Sequence, residues 1–78
     1  MDDKLMRFFN KINFEEINDF DGVKVSKVVI NKQKESWIVY LQSDKVINPE
    51  SMIKLINKAK DGIENVNTID IKICYSNI

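Results

Sequence analysis

The stretch that decides the fold is VVINKQKESWIVYL, residues 28–41. Two runs rich in β-branched and aromatic residues, Lys27–Asn31 and Ser36–Gln42, flank a lysine-rich connection. Such residues favour strands, and two of these runs joined by a short polar segment are typical of a β-hairpin. The connection lacks Gly, Pro and the Asn-Gly pair of a two-residue turn, so the sequence predicts a longer, flexible hairpin loop.

Side-chain alternation divides this hairpin into two faces. In strand 2, the odd-numbered residues 37–41 lie on one face, and Ile38 and Tyr40 lie on the other. In strand 1, over about residues 24–31, the valines before and after Ser26 are out of phase, and a β-bulge near Ser26 and Lys27 would reconcile them. The expected core-facing set of the hairpin is Val28, Ile30, Trp37, Val39 and Leu41.

The segment before the hairpin, residues 1–21, is predicted to be helical. Its apolar residues follow the spacing of one helix face, which predicts a helix over residues 3–12 with Leu5, Phe8, Phe9 and Ile12 buried. Asn13 with Glu16 matches a capping box, so a second short helix is expected over residues 14–19. Asp21-Gly22 then marks a turn.

Asn48-Pro49-Glu50 is the clearest helix start in the chain, because Asn caps, Pro fits the first helical position and Glu favours the first turn. A third helix therefore begins at Pro49, and Gly62 is a natural end for it. Glu50 and Lys54 are spaced as an i,i+4 ion pair. The expected buried stripe is Met52, Leu55, Ile56, Ala59 and Ile63.

Residues 68–76 alternate as a third strand, with Asp70, Lys72 and Cys74 outside. Its predicted inward residues are Ile69, Ile71, Ile73 and Tyr75. Because one face of this strand is so polar, we expect it at an edge of the sheet. A right-handed crossover through the third helix makes strands 2 and 3 parallel. Whether strand 1 or strand 2 is central stays open.

The element order α-α-β-β-α-β predicts an α+β fold of two layers, a three-stranded mixed sheet with helices on one face. At 78 residues, the chain is expected to form a single domain over residues 1–78. Within it, residues 1–21 make the helical N-terminal segment and residues 22–78 the ββαβ core. A core of this size contributes only about 3–5 kcal/mol net, which favours a module of a larger protein.

Composition argues against most kinds of chemistry. Twelve basic and twelve acidic residues give a formal net charge of zero, and the chain has no His, one Cys and no glycine-rich phosphate-binding motif. We therefore expect no catalytic residue, no metal site and no cofactor. No apolar run approaches the ~20 residues of a membrane span, and a lone Cys suits a reducing cytoplasm.

The first functional hypothesis concerns the sheet face away from the helices, where apolar residues are expected within a charged rim. Such a patch is typical of a docking surface. The predicted partner-binding residues are Val29, Ile38, Tyr40, Lys72 and Cys74. Two other interpretations stay open: isolated exposed apolar residues are common, and the N-terminal helical segment would also be able to cover this face.

The second hypothesis is a nucleic-acid contact through Lys27, Lys32 and Lys34 of the hairpin, with Trp37 and Tyr40 nearby for base stacking. The other interpretation is a solvated hairpin tip, since lysines also protect strand edges from aggregation. Zero net charge and the expected core position of Trp37 favour the solvated tip.

With these residues placed, the sequence resembles the N-terminal domain of PolC-type DNA polymerase III, the bacterial replicative polymerase that carries its proofreading exonuclease in the same chain. The resemblance covers about residues 22–76. It rests on Val29-Ile30-Asn31-Lys32, Ser36–Leu41, the helix Pro49–Asp61 and Asn65-Val66.

This resemblance implies a truncated type II KH-like topology at the start of a longer polymerase whose catalytic carboxylates lie in later domains. It implies a non-catalytic protein-interaction domain that tethers the polymerase within the replisome. The implied partners are a replisome protein, with the clamp-loader tau subunit as candidate, and the remainder of the polymerase chain. KH domains grip nucleic acid with a G-x-x-G loop, whereas this chain has only isolated Gly22 and Gly62.

Overall fold

The computed structural model describes residues 2–76, which form two α-helices, one 3-10 helix and three strands. In chain order these are α1 (Asp3–Ile12), the 3-10 helix (Ile17–Phe20), β1 (Val23–Asn31), β2 (Ser36–Ser43), α2 (Pro49–Gly62) and β3 (Thr68–Tyr75). The predicted α+β class and element order are confirmed, with the second helix being a single 3-10 turn.

Helix α1 has the predicted bounds, and its start is fixed by Asp2. The Asp2 carboxylate accepts hydrogen bonds from the backbone N–H of Leu5 at 3.1 Å and of Val25 at 3.3 Å. The first bond caps the helix, and the second attaches the helix start to β1. The four residues predicted to be buried, Leu5, Phe8, Phe9 and Ile12, are all buried.

The predicted capping role of Asn13 is wrong. Asn13 ends α1 in the left-handed conformation, with φ of 57°, and its N–H donates to the Asn10 carbonyl at 3.3 Å. Asparagine tolerates this conformation better than most residues, which suits it to a helix C-terminus. The 3-10 helix begins only at Ile17, and the Glu16 side chain makes no capping bond there.

The sheet has the order β1-β2-β3, so β2 is central. Strand β1 pairs antiparallel with β2, and β3 pairs parallel with β2 at the sheet edge, as predicted. The register of β1 shifts between Val25 and Lys27, which confirms the β-bulge. Because of the bulge, Val25 and Val28 both lie on the face of the sheet that carries their β2 partners, Leu41 and Val39.

The helices pack on that side of the sheet around a cluster of aromatic rings. The Phe9 ring centre lies 5.1 Å from that of Phe14 and 5.5 Å from that of Phe20, and both Phe9 and Phe20 are fully buried. Val39 and Leu41 of β2 complete the centre of the core. The core therefore joins the N-terminal helical segment to the sheet through direct contact.

The prediction that Val28 and Ile30 belong to the core is wrong. Both face the helical side, paired with Val39 and Trp37, but they are 43% and 51% exposed. The helical layer covers β1 only where Val23 and Val25 are buried, and the strand continues beyond it. Trp37 is half-buried, packs against the core and has the Lys11 ammonium 5.3 Å from its ring centre.

Helix α2 begins at Pro49 as predicted, with the Asn48 side chain accepting the Glu50 N–H at 2.9 Å. Leu55, Ala59 and Ile63 of the predicted stripe are buried, whereas Met52 and Ile56 are only half-buried. Tyr75, predicted to face inward from β3, is also 37% exposed.

The predicted ion pair between Glu50 and Lys54 is replaced by another. The Lys54 ammonium lies 3.2 Å from the Glu16 carboxylate. Nearby, the Ser51 hydroxyl donates to the Asp19 carboxylate at 2.8 Å, so two side-chain contacts join α2 to the segment around the 3-10 helix. Both pairs depend on tertiary packing, which local spacing does not encode.

We expect Gly62→Ala to destabilise the domain. A Cβ at Gly62 would lie 2.8 Å from Cα and 2.9 Å from Cβ of Ile12, so α1 and α2 would have to separate. Overpacking of this kind costs about 1–3 kcal/mol, which exceeds the ~1 kcal/mol that Ala gains over Gly in a helix. Urea unfolding should show a lower midpoint for this variant. Asn57→Ala, at an exposed position of α2, is the control, and an unchanged midpoint for Gly62→Ala would contradict the close approach.

Candidate functional site

The sheet surface opposite the helices, here called the open face, collects all five residues predicted to bind a partner. Its cross-strand rows follow from the pairing of β1 with β2 and of β2 with β3. They are Val29, Ile38 and Asp70 in the first row, Lys27, Tyr40 and Lys72 in the second, and Lys24, Gln42 and Cys74 in the third. Apolar and aromatic side chains thus occupy two central positions, with charges around them.

The apolar side chains of the open face are not part of the hydrophobic core. Val29 is 43% exposed, and Ile38 and Tyr40 are half-buried without packing against the core cluster. Helix α1 packs on the opposite side, where Lys11 lies over Trp37. The interpretation in which the N-terminal helical segment covers this face is therefore wrong for residues 2–76.

The β-bulge positions the ring of Tyr40. The hydroxyl of Ser26, the inserted residue, donates to the Tyr40 carbonyl at 3.1 Å. Lys27 then returns to the open face, where its ammonium lies 4.7 Å from the Tyr40 ring centre. A cation–π contact at an exposed site contributes about 0.5–1 kcal/mol, so it holds the ring without burying it.

The rim of the open face is mainly basic. Lys24, Lys27 and Lys72 lie on the open-face side of the strands, against one acid, Asp70. In the described range 2–76, no cluster of three or more His, Cys, Asp or Glu side chains is arranged to hold a metal ion. None of the helices formed by these residues is long and apolar enough to cross a bilayer. An apolar centre within a mainly basic rim suits contact with the surface of another molecule.

A family model described as DNA polymerase III polC-type N-terminus I matches residues 4–73. The chain belongs to this family. The match extends from α1 into β3, so the N-terminal helical segment is part of the PolC-type unit, although the sequence resemblance carried by motifs began only near residue 22. No curated protein matches the chain, and no solved structure matches it either.

In this PolC-type N-terminal domain, the three lysines of the nucleic-acid hypothesis are spread along the hairpin. Lys27 faces the Tyr40 ring, whereas Lys32 and Lys34 lie in the hairpin turn, and Lys32 is about 16 Å along the strand from Lys27 at 3.3 Å per residue. Trp37 lies on the opposite side of the sheet from Tyr40. The two aromatic residues near these lysines therefore cannot form one stacking platform with them.

The structure adds one feature of the PolC-type domain that sequence reasoning missed. A shallow groove between α2 and the segment after α1 is lined by Asn13, Phe14, Glu15, Glu16, Lys54 and Lys58. The ion pair between Glu16 and Lys54 lies in it, with both side chains more than half exposed. Exposed pairs contribute about 0–1 kcal/mol, so this pair adds little to the stability of the domain. Nothing in the spacing of these residues along the chain would have brought them together.

Proposed function

We propose that this PolC-type N-terminal domain is a non-catalytic protein-interaction domain that tethers the polymerase within the replisome through its open face. The observation that carries the proposal is the position of Val29, Ile38 and Tyr40. They lie side by side on a sheet face that no helix formed by residues 2–76 covers. Apolar and aromatic side chains of this kind gain free energy when a partner buries them.

The partner that we propose is the clamp-loader tau subunit, a replisome protein. Its contact surface would need an apolar centre for Tyr40 and Ile38 and acidic groups opposite Lys24, Lys27 and Lys72. Tyrosine is enriched among residues that dominate binding energy, because it buries a large ring at a low cost in conformational entropy. Lys27 already fixes one side of the Tyr40 ring, which lowers that cost further. The remainder of the polymerase chain is the second proposed partner of this face. We propose that these contacts form in the cytoplasm.

The topology of α1, β1, β2, α2 and β3 supports an interpretation as a truncated type II KH-like domain. The nucleic-acid loop of KH domains is absent from the sequence, and both glycines have other positions. Gly22 lies in the turn before β1 with φ of 84°, and Gly62 packs against Ile12. A protein partner therefore agrees better with this chain than a single strand of nucleic acid.

Titration of the chain with purified tau subunit tests the proposal. Ile38→Asp places a charge at the centre of the open face and should weaken binding at least about tenfold, or 1.4 kcal/mol. Ile53→Asp makes the same change at an exposed site on α2 and should leave binding unchanged. Circular dichroism should show that both variants are folded. Equal affinities for the two variants, or no binding by the wild type, would contradict the proposal.

A parallel titration with fluorescent single-stranded DNA at two salt concentrations addresses the lysine hypothesis. Phosphate neutralisation by several lysines makes affinity fall steeply as salt rises. We expect little binding at either salt concentration, because Trp37 and Tyr40 lie on opposite sides of the sheet and provide no joint stacking platform for bases beside these lysines. Salt-dependent binding that is lost when Lys27, Lys32 and Lys34 are changed to Gln would instead support the nucleic-acid function.

A further inference from the structure

The outer edge of β1 is free over its second half. Strand β1 is an edge strand, and among residues 2–76 no other strand pairs with its outer side. Near its start the edge is occupied, because the Val25 N–H donates outward to the Asp2 carboxylate. Past the bulge, residues 28–31 have no such cover, and their outward backbone groups are available for hydrogen bonding.

This free segment is apolar on both faces of the sheet. Val28 and Ile30 lie on the helical side and Val29 on the open face, and the three are 43%, 51% and 43% exposed. Edge strands usually carry a bulge, a proline or an inward charge that prevents pairing. The bulge of β1 lies before this segment, so residues 28–31 keep a regular strand next to solvent.

The charge around the segment selects the kind of chain that fits beside it. Lys24, Lys27, Lys32 and Lys34 are the four charged residues between Gly22 and Glu35. A second copy of this chain paired along the same edge would bring lysines against lysines, and like charges across a strand pair are destabilising. An extended segment with acidic residues on either side of an apolar stretch would complement this edge in both charge and hydropathy.

We propose that residues 28–31 of β1 accept an extended, acid-flanked apolar segment of another protein as a fourth strand. Backbone hydrogen bonds would supply affinity, while Val28 and Ile30 on one face and Val29 on the other would select alternating apolar side chains. The four lysines have two effects here, since they discourage self-pairing and attract an acidic partner. This site does not rest on the open face being the docking surface, although Val29, Lys24 and Lys27 belong to both.

A synthetic peptide tests the proposal without altering the domain. The probe is fluorescein-labelled Glu-Val-Thr-Ile-Thr-Val-Glu-Glu, and we expect saturable binding with a Kd below about 1 mM that weakens at high salt. Two N-methylated versions of the probe are then compared. One carries N-methyl groups on its three apolar residues, and the other carries them on its two Thr residues and on the Glu that follows the last Val. Alternate N–H groups point to opposite edges of a strand, so a strand beside β1 requires only one of these sets.

One N-methylated peptide should therefore lose binding at least about tenfold, and the other should keep it. Binding by both, or loss with both, would overturn strand addition, as would absence of binding by the unmethylated probe. Ile30→Ser should weaken binding of the probe, whereas Tyr40→Ser, which also leaves the charge unchanged, should not. Failure at the edge and failure at the open face therefore give different results. A concentration-dependent dimer that excludes the probe in sedimentation would show that a second copy occupies the edge, and would also overturn the proposal.

Discussion

Phe9→Ala is expected to remove most of the stability of the domain. Phe9 is fully buried and its ring contacts the rings of Phe14 and Phe20, which both lie in the connection between α1 and β1. Truncation of a buried Phe to Ala costs about 3–5 kcal/mol. A domain of this size has a free energy of unfolding of about 3–5 kcal/mol, so the loss caused by Phe9→Ala is about as large as the whole stability of the domain.

Equilibrium unfolding in urea, followed by circular dichroism, measures this effect. The wild-type chain should show a cooperative transition, and Phe9→Ala should be largely unfolded even without urea. Val46→Ala, which removes an exposed apolar side chain, should unfold at the wild-type midpoint. A Phe9→Ala variant that retains the sheet and loses only helical signal would show that α1 is an appendage, which would contradict the joint core described above.

Tyr40→Asp is expected to abolish binding to the tau subunit while the domain stays folded. The change removes an aromatic ring from the centre of the open face and leaves a carboxylate that the partner would have to desolvate. Hot-spot residues of interfaces, among which Tyr is enriched, contribute at least about 2 kcal/mol, which corresponds to about thirtyfold in Kd. Because Tyr40 does not pack against the core cluster, the cost in stability should stay near 1 kcal/mol, the range of strand propensities.

Tyr40→Phe is the matched control for this variant. It keeps the ring and the contact with the Lys27 ammonium, and it removes only the hydroxyl. Binding should therefore stay close to that of the wild type. If Tyr40→Asp unfolds the chain, Tyr40 belongs to the structural core; if it binds tau normally, the open face is not the docking surface.

Much of the fold could be predicted because its signals are local. The start of α2 follows from Asn48-Pro49-Glu50, and the bounds of α1 follow from apolar spacing after an acidic start. The bulge followed from the phase of the valines on either side of Ser26, since a regular strand cannot turn both sets inward. The parallel pairing of β2 and β3 followed from the handedness of a crossover helix.

The errors arose where an outcome depends on how far one layer covers another. Alternation placed Val28 and Ile30 on the correct face, but the helical layer ends before it reaches them. Lys54 meets Glu16, 38 positions away, because α2 packs beside the segment before the 3-10 helix. Local spacing favoured Glu50 for Lys54, and no periodicity reports a tertiary neighbour.

The membership of the open face could be predicted from alternation alone, and its detailed geometry could not. All five predicted residues, Val29, Ile38, Tyr40, Lys72 and Cys74, lie on it. The contact between Lys27 and the Tyr40 ring required the bulge to return Lys27 to this face. The free edge of β1 became visible only once β2 was known to be central, a choice that the sequence left open.

The most direct test of the open face as a docking surface is an amide NMR map of the isotopically labelled chain with and without purified tau subunit. We expect shift changes centred on Val29, Ile38, Tyr40, Lys72 and Cys74, which occupy neighbouring rows of the sheet. The exposed side of α2, marked by Ile53, should stay unchanged. Changes confined to α2 or to the hairpin turn at residues 32–35, with the open face unaffected, would contradict the account.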